Sequence, residues 1–369
     1  MLTSVHPVRD TRIYHREIRS LAQAGYQVTL IATGVNSQET SIENIDENIE
    51  IVSLKRPKWR FGRLLNWSPF IKEALKTEAD IFHFHDPDLL FVGFLLQRYT
   101  GRPVIYDCHE PYEIKVLDRQ WLPQWGRSAI SIAYRMLEQQ IVKHLSAIIV
   151  PNDGQLLRYP EATLVRNLPW RKLALPEPRR QSGSHQVVYT GLINEVRGVW
   201  NMLKVVNRLS IPDSELMLIG RIDTPKLEQE IKAYINAHSL EQRVKLLGYI
   251  PHELLPNYLA SANVGLIAFE DVPSLRIAIP TKMFEYMALG LPIVASDLPT
   301  IRPFIEQAEC GLLVSPSDIS GLVATLEYVF THPAEAWQLG KNGRQAILDQ
   351  YNWEVEERKL LLLYRELIH

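Results

Sequence analysis

Cysteine is scarce in this chain: Cys108 and Cys310 are the only two in 369 residues. A pair so far apart in sequence supports neither a disulfide framework nor a zinc knuckle, so a reducing compartment is the expectation. Long apolar runs are missing too. The best, Leu89–Leu96, falls well short of the roughly 20 residues that a membrane-spanning helix needs, and polar Gln97 and Arg98 follow it. The opening Met1-Leu2-Thr3-Ser4-Val5-His6-Pro7 has no basic leader and no long apolar stretch. A secretory signal is therefore not expected, and the cytoplasm is the expected location. Neither sign of charge dominates, with 40 Lys and Arg against 42 Asp and Glu, which argues against a strongly basic nucleic-acid binder. No Gly-x-Gly-x-x-Gly fingerprint, Walker loop or Gly-x-Ser-x-Gly elbow occurs.

What is present is a globular composition, 46% hydrophobic and 22% charged, in a length that suits two or three domains. Short apolar runs alternate with helix-length amphipathic stretches. In the first half the strand-like runs are Gln27–Ala32, Ile49–Leu54, Ile81–Phe84, Val104–Tyr106 and Ala147–Val150, with helical patterns at Arg12–Ala24 and Ser128–His144. Residues 168–185 are rich in proline and polar residues and read as a linker. The alternation then restarts, with strands expected at Gln186–Tyr189, Glu215–Ile219, Val244–Leu247, Val264–Ala268, Pro292–Ala295 and Gly311–Val314. Near-continuous apolar strands separated by helices imply parallel sheets covered on both faces. The expectation is an α/β protein of two doubly wound domains facing a cleft, residues 1–175 and 176–350. An amphipathic tail (351–369) has to dock on one of them.

The most informative segment is Ile279-Pro280-Thr281-Lys282-Met283-Phe284-Glu285-Tyr286-Met287-Ala288-Leu289-Gly290-Leu291-Pro292-Ile293-Val294-Ala295-Ser296. Proline opens a helix here, and Gly290 with Pro292 closes it. Lys282 falls in the first turn, where free amides and the positive dipole end favour a phosphate. Glu285, one turn on, suits a pair of hydroxyls such as a ribose presents. A helix start with one surface ion pair explains the spacing equally well.

The complete string resembles the donor-site signature of the GT-B glycosyltransferases of family 4, and other segments agree in order. Thr3–Glu17 looks like that family's opening strand, loop and helix, and Tyr106-Asp107-Cys108-His109-Glu110 like its catalytic-histidine loop. Tyr189-Thr190-Gly191 through Arg197-Gly198 is similar to its glycine-rich segment, and Gly248-Tyr249-Ile250-Pro251 to its base-binding turn. Tyr351-Asn352-Trp353 with the last helix matches its closing element, which crosses back to the first domain.

The resemblance implies a GT-B fold and a retaining transfer of a hexose from a nucleotide diphosphate donor without a metal. The donor would be bound by the C-terminal domain. UDP-glucose is the expected donor, and polysaccharide assembly on a saccharide or lipid-linked acceptor the expected setting. Arg197, Lys282 and the amides after Pro280 at Thr281 and Lys282 would receive the diphosphate beside Gly191. Glu285 would hold the ribose, and the backbone at Tyr249 and Ile250 the base. In the acceptor domain His109 would touch the transferred sugar, oriented by Asp107 and Glu110, and Asp10 and Arg12 would contact sugar or acceptor. Two positions depart from the pattern: Ile277 stands where a first glutamate is usual, and Leu192 where an arginine often follows the glycine. A UDP-sugar epimerase of the same fold and a non-catalytic nucleotide-sugar binder are the alternatives.

Two further features stand apart from that assignment. His83-Phe84-His85-Asp86-Pro87-Asp88 has ligand types that suit a metal, but no third histidine follows, and cleft-lining or packing roles are the preferred reading. His6 is open between a packed and a functional role. Basic and aromatic residues mix at 55–67 and again at Trp121, Trp125, Arg127 and Arg135, which suits peripheral contact with an anionic membrane; solvated loops explain the same letters.

Overall fold

The computed structural model describes residues 1–33, 41–55, 67–109, 112–117, 123–175, 185–251 and 254–368. They form two compact units: Met1–Asn167 with Glu354–His369, and Leu168–Trp353.

Unit 1 is built on an eight-stranded sheet in the order β3-β4-β2-β1-β5-β6-β7-β8. Its strands are β1 (Leu2–Thr3), β2 (Val28–Thr33), β3 (Ser41–Asp46), β4 (Ile49–Leu54), β5 (Phe82–Phe84), β6 (Val104–Asp107), β7 (Ala147–Val150) and β8 (Thr163–Leu164). All pair in parallel except β3, which runs antiparallel to β4. Unit 2 carries a six-stranded parallel sheet, β11-β10-β9-β12-β13-β14. These are β9 (His185–Thr190), β10 (Ser214–Ile219), β11 (Val244–Gly248), β12 (Val264–Ile267), β13 (Ile293–Ser296) and β14 (Gly311–Val314). The runs of valine, isoleucine and leucine in these strands are buried because helices cover the sheets. In each sheet the chain builds outward in one direction, returns, and builds in the other. The reversal falls between β1 and β5 in unit 1 and between β9 and β12 in unit 2, the places where open α/β sheets bind ligands beyond their carboxyl ends.

Three local expectations need correction. The helix expected over Arg12–Ala24 begins as a π-helical turn, Ile13–Ile18, and continues as a short α-helix, Arg19–Gln23. Glu17 N bonds to Arg12 O at 3.0 Å and His15 N to Asp10 O at 3.2 Å, the five-residue step of a π-turn. Residues 168–175 are not a free linker: Leu168 and Ala174 are buried in the core of unit 2, so the division falls after Asn167. The helix expected to start at Ser128 runs over Gln124–Val142. The last helix, Trp353–Ile368, is held to unit 1 by Glu356, which accepts from the Arg166 amide at 2.9 Å, and by Tyr364, whose hydroxyl lies 2.8 Å from His83 Nδ1. Among the described residues no helix is long and apolar enough to cross a membrane.

Candidate active site

In unit 2 the switch point gathers three glycines with positive φ. Gly191 (φ 108°), Gly220 (147°) and Gly248 (67°) follow β9 and β10 and close β11. Gly191 N bonds to Ile219 O and Gly220 N to Gly248 O, each at 2.8 Å, and a Cβ on Gly220 would lie 1.8 Å from Gly191 O. A side chain cannot enter at Gly220, so the end of β10 presents bare backbone.

The helix Thr281–Ala288 begins beside them, with Pro280 at its N-cap and no side chain capping it. Met283, Phe284, Tyr286, Met287 and Ala288 anchor it in the core. The Tyr286 hydroxyl accepts from Thr190 N at 2.9 Å, which ties the helix to the end of β9. Lys282, in the first turn, is buried. Its Nζ sits 3.6 Å from the centre of the Tyr189 ring and has no hydrogen-bond partner among the described residues. A Cβ on Gly191 would meet Lys282 Nζ at 3.2 Å and Arg197 Nη1 at 3.8 Å, so both cations converge on one point. Burial, and then the charge of Arg197, push the Lys282 pKa well below the lysine range, with Glu285 opposing. A buried ammonium beside a second cation, with no hydrogen-bond acceptor among the described residues, is suited to an anion.

Gly198 fixes the Arg197 turn. Its φ is 78°, and a Cβ there would sit 1.7 Å from Ala268 O at the end of β12. Gly198→Ala is expected to cost about 2–4 kcal/mol, by strain and overlap together, which a urea melt would measure. Tyr249 is exposed, Ile250 and Glu285 are half-buried, and Ile277 brings no carboxylate. Glu270 does not replace it: its oxygens bond Asn201 Nδ2 at 2.8 Å and Ser317 Oγ at 2.5 Å. A cavity of about 580 Å³ is lined by Glu195, Trp200, Glu270 and Ser317, and its lining does not include Lys282 or Arg197.

In unit 1 the loops after β1, β5 and β6 meet. Asp86 nails the first to the second: its Oδ2 accepts from Thr3 Oγ1 and Ser4 N, both at 2.6 Å, while Ser4 Oγ donates to Asp88 at 2.7 Å. The acids next to the histidines in sequence are therefore spent on the β1 loop. His83 and His85 instead meet Glu17 and Asp107, four buried residues whose donor atoms lie within 4.8 Å of one another. The ligand types suit a metal, but Arg12 Nε stands 2.9 Å from both Glu17 Oε1 and Asp107 Oδ2, so a guanidinium supplies the positive charge between the carboxylates. Arg12, expected at the sugar or acceptor, and Asp107, expected beside His109, are buried and bonded to one another, Arg12 also donating to Val165 O at 2.9 Å. They stand behind the surface rather than on it.

His109 is the partly exposed member. Its Nε2 lies 3.1 Å from Asp107 Oδ2 and 3.2 Å from His85 Nδ1. His6, whose role the sequence left open, packs its ring 4.8 Å from that of His109, with Asp10 and Asp86 each 3.5 Å from its two nitrogens. Asp10 also caps the π-turn through the Arg12 and Ile13 amides. Glu110 lies outside the described residues.

The two buried carboxyl groups of this cluster are pushed in opposite directions. Burial raises Asp107, but Arg12, then His109 and His85, outweigh it and hold the group well below the carboxylate range. Burial lifts Glu17 well above that range, against Arg12 and with Asp107's help. A raised acid stabilises the fold below its unfolded pKa, and that contribution is lost as pH rises towards the folded value. Glu17→Gln, uncharged throughout, is therefore expected to keep the stability of the parent near pH 4. Its melting temperature should improve relative to the parent as pH is raised from there, as scanning calorimetry across pH would show.

Both units thus present loop-built polar sites at the carboxyl edges of Rossmann-like sheets, one cationic and one histidine–carboxylate. That combination defines a two-domain α/β enzyme of the GT-B class. The model of Glycosyltransferase Family 4 matches residues 11–155, in unit 1, and that of Glycosyl transferases group 1 matches 173–346, in unit 2. The chain is a glycosyltransferase of this group 1, family 4 type. It is 25% identical over 300 residues to MMP alpha-(1->4)-mannosyltransferase of Mycolicibacterium hassiacum, covering 77% of this chain and 70% of that one. Sucrose-phosphate synthase from Thermosynechococcus elongatus superposes with a TM-score of 0.78 at 22% identity, covering 97% and 93% of the two chains. Anabaena HepE in complex with UDP-glucose gives 0.76 at 13% identity over 99% and 98%.

Proposed function

We propose that the protein transfers a hexose, with retention, from a nucleotide diphosphate sugar to a saccharide or lipid-linked saccharide in polysaccharide assembly. UDP-glucose is the donor of choice, since the fold-related HepE holds that compound; the mannosyltransferase relative makes GDP-mannose the competitor to test. One observation carries the reading: the buried, unpartnered Lys282 ammonium converging with Arg197 on bare glycine backbone. As the bond from the sugar to the diphosphate breaks, its electron pair moves onto phosphate oxygen. Preorganised cations at that point stabilise the charge more than in water. The Thr281 and Lys282 amides add to them, Glu285 takes the ribose hydroxyls, and the Tyr249–Ile250 backbone takes the base. No metal is needed for this charge. On unit 1, His109 offers a nitrogen to a hydroxyl of the transferred sugar, and His6 and Asp10 line the same face.

The lipid-linked option draws support from the helix Gln124–Val142. Its Ser131 and Glu138 are buried, whereas Trp125, Ile132, Met136 and Leu137 are exposed on another side, and Arg135 flanks them. Such a face suits peripheral contact with anionic lipid. Sugar-labelled UDP-glucose, GDP-mannose and ADP-glucose, each incubated with enzyme and a glycolipid and oligosaccharide extract, test the whole proposal. Label should move into the extract from UDP-glucose first; transfer from none of the three would overturn it.

A further inference from the structure

The motif His83-Phe84-His85 has no part in the function as read so far, yet it is fully buried behind His109. Asp107 is a hub there. Arg12 donates to both of its oxygens, Nε to Oδ2 at 2.9 Å and Nη2 to Oδ1 at 3.1 Å, so the group is a carboxylate and can only accept. His109 Nε2, 3.1 Å from Oδ2, must then carry the proton and donate it. The same nitrogen lies 3.2 Å from His85 Nδ1, and the two rings meet edge to face with centroids 5.2 Å apart. His85 is held from behind by His83, whose ring is 4.5 Å away and whose Nδ1 is fixed by the Tyr364 hydroxyl at 2.8 Å. The inner edge of the His109 imidazole thus rests on a chain of packed rings that ends on the last helix.

We propose that His85 is a positioning residue: its Nδ1 accepts a share of the His109 Nε2 proton that Asp107 Oδ2 also accepts, which holds the ring in place and leaves His109 Nδ1 as the lone pair that accepts from a sugar hydroxyl. His85 itself touches no substrate, and its Nε2, with no hydrogen-bond partner among the described residues, takes no part. The histidine pair is explained without a metal role, and the spacing is explained too. His83 and His85 share one side of the strand end, so the first can brace the second. The inference rests on the proposed role of His109 for its catalytic meaning, but not for its geometry.

Two isosteric changes separate the nitrogens. His85→Asn keeps a polar group at the Nδ1 position, while His85→Gln moves it to the Nε2 position. Long-range proton–nitrogen correlation spectra report the His109 tautomer without any ligand. The wild type and His85→Asn should show His109 protonated at Nε2 alone, and His85→Gln a mixture. With UDP-glucose as probe, calorimetric affinity should be alike in all three. Turnover should fall roughly 10- to 100-fold in His85→Gln, as a misplaced group costs, and recover to within a few-fold in His85→Asn. His109 protonated at Nδ1 in the wild type would overturn the inference even if neither variant folds. So would turnover in His85→Gln equal to or above that in His85→Asn. Failure of every donor to bind or react would count against the proposed function instead, and the tautomer readout would still decide this one.

Discussion

Lys282→Ala is expected to lower turnover of UDP-glucose by roughly 10²- to 10³-fold, the loss typical when one preorganised charge-stabilising group is removed. Burial makes the effect large. In water a lysine contributes a screened point charge, but this ammonium is shielded by the Tyr189 and Phe269 rings, 3.6 and 5.2 Å from its Nζ. The free protein holds the charge at a cost, because burial and Arg197 both depress the Lys282 pKa. A bound diphosphate would reverse that, so binding should be tightest below the depressed pKa and weaken as pH rises through it, before the ordinary lysine range is reached. Lys282→Ala should remove both the affinity and this pH dependence, while leaving the melting temperature of the free protein equal or higher. Rate and calorimetric measurements at several pH values check all three. Retention of full turnover would separate Lys282 from the reaction.

The second large effect is on stability. Asp107→Asn leaves the Arg12 guanidinium buried with its main counter-charge gone, and breaking a buried pair in this way costs about 3–5 kcal/mol. Glu17 moderates the loss. Its Oε1 already lies 2.9 Å from Arg12 Nε, so it can give up its proton and take over the pairing. Asp107→Asn alone should therefore fall near the low end of that range, and Glu17→Gln alone should cost nothing near pH 4 and be mildly stabilising above it. Together they should cost more than their sum, since no carboxylate then faces Arg12. Urea melts of the four proteins test this cycle; strict additivity would contradict the sharing of Arg12 between the two carboxyl groups. The parent's pH profile has the matching sign: the stability from Asp107, present above the ordinary Asp pKa near 4, should disappear as pH falls through its depressed value.

Much of this was legible in the sequence because it is local. The strand runs of both halves, the Pro280 helix start and Lys282 in its first turn depend on neighbours a few residues away, and periodicity and turn chemistry record them; Gly191 and Arg197 are reached only through the resemblance to the family. What lay beyond reach was pairing at long range. The acids beside His83 and His85 in sequence, Asp86 and Asp88, turn to the loop after β1. Their spatial partners, Glu17 and Asp107, come from other elements altogether. The π-turn that swings Glu17 into that cluster leaves no mark on a 3.6-residue pattern. Two-residue strands such as β1 and β8 are too short to show alternation, and β3 gains its pairing from β4 alone. Arg12 is expected at the sugar or acceptor because it sits at the first strand–helix junction, but in the fold it turns inward to Asp107, the group expected to orient His109.

Calorimetric titration of UDP and of uridine, run side by side on the wild type and on the Lys282→Ala, Arg197→Ala double variant, addresses the core of the account. UDP should bind the wild type far more tightly than uridine does, and the double variant should hold the two with nearly equal, weak affinity. If UDP bound both proteins equally well, these cations would not be the seat of the pyrophosphate.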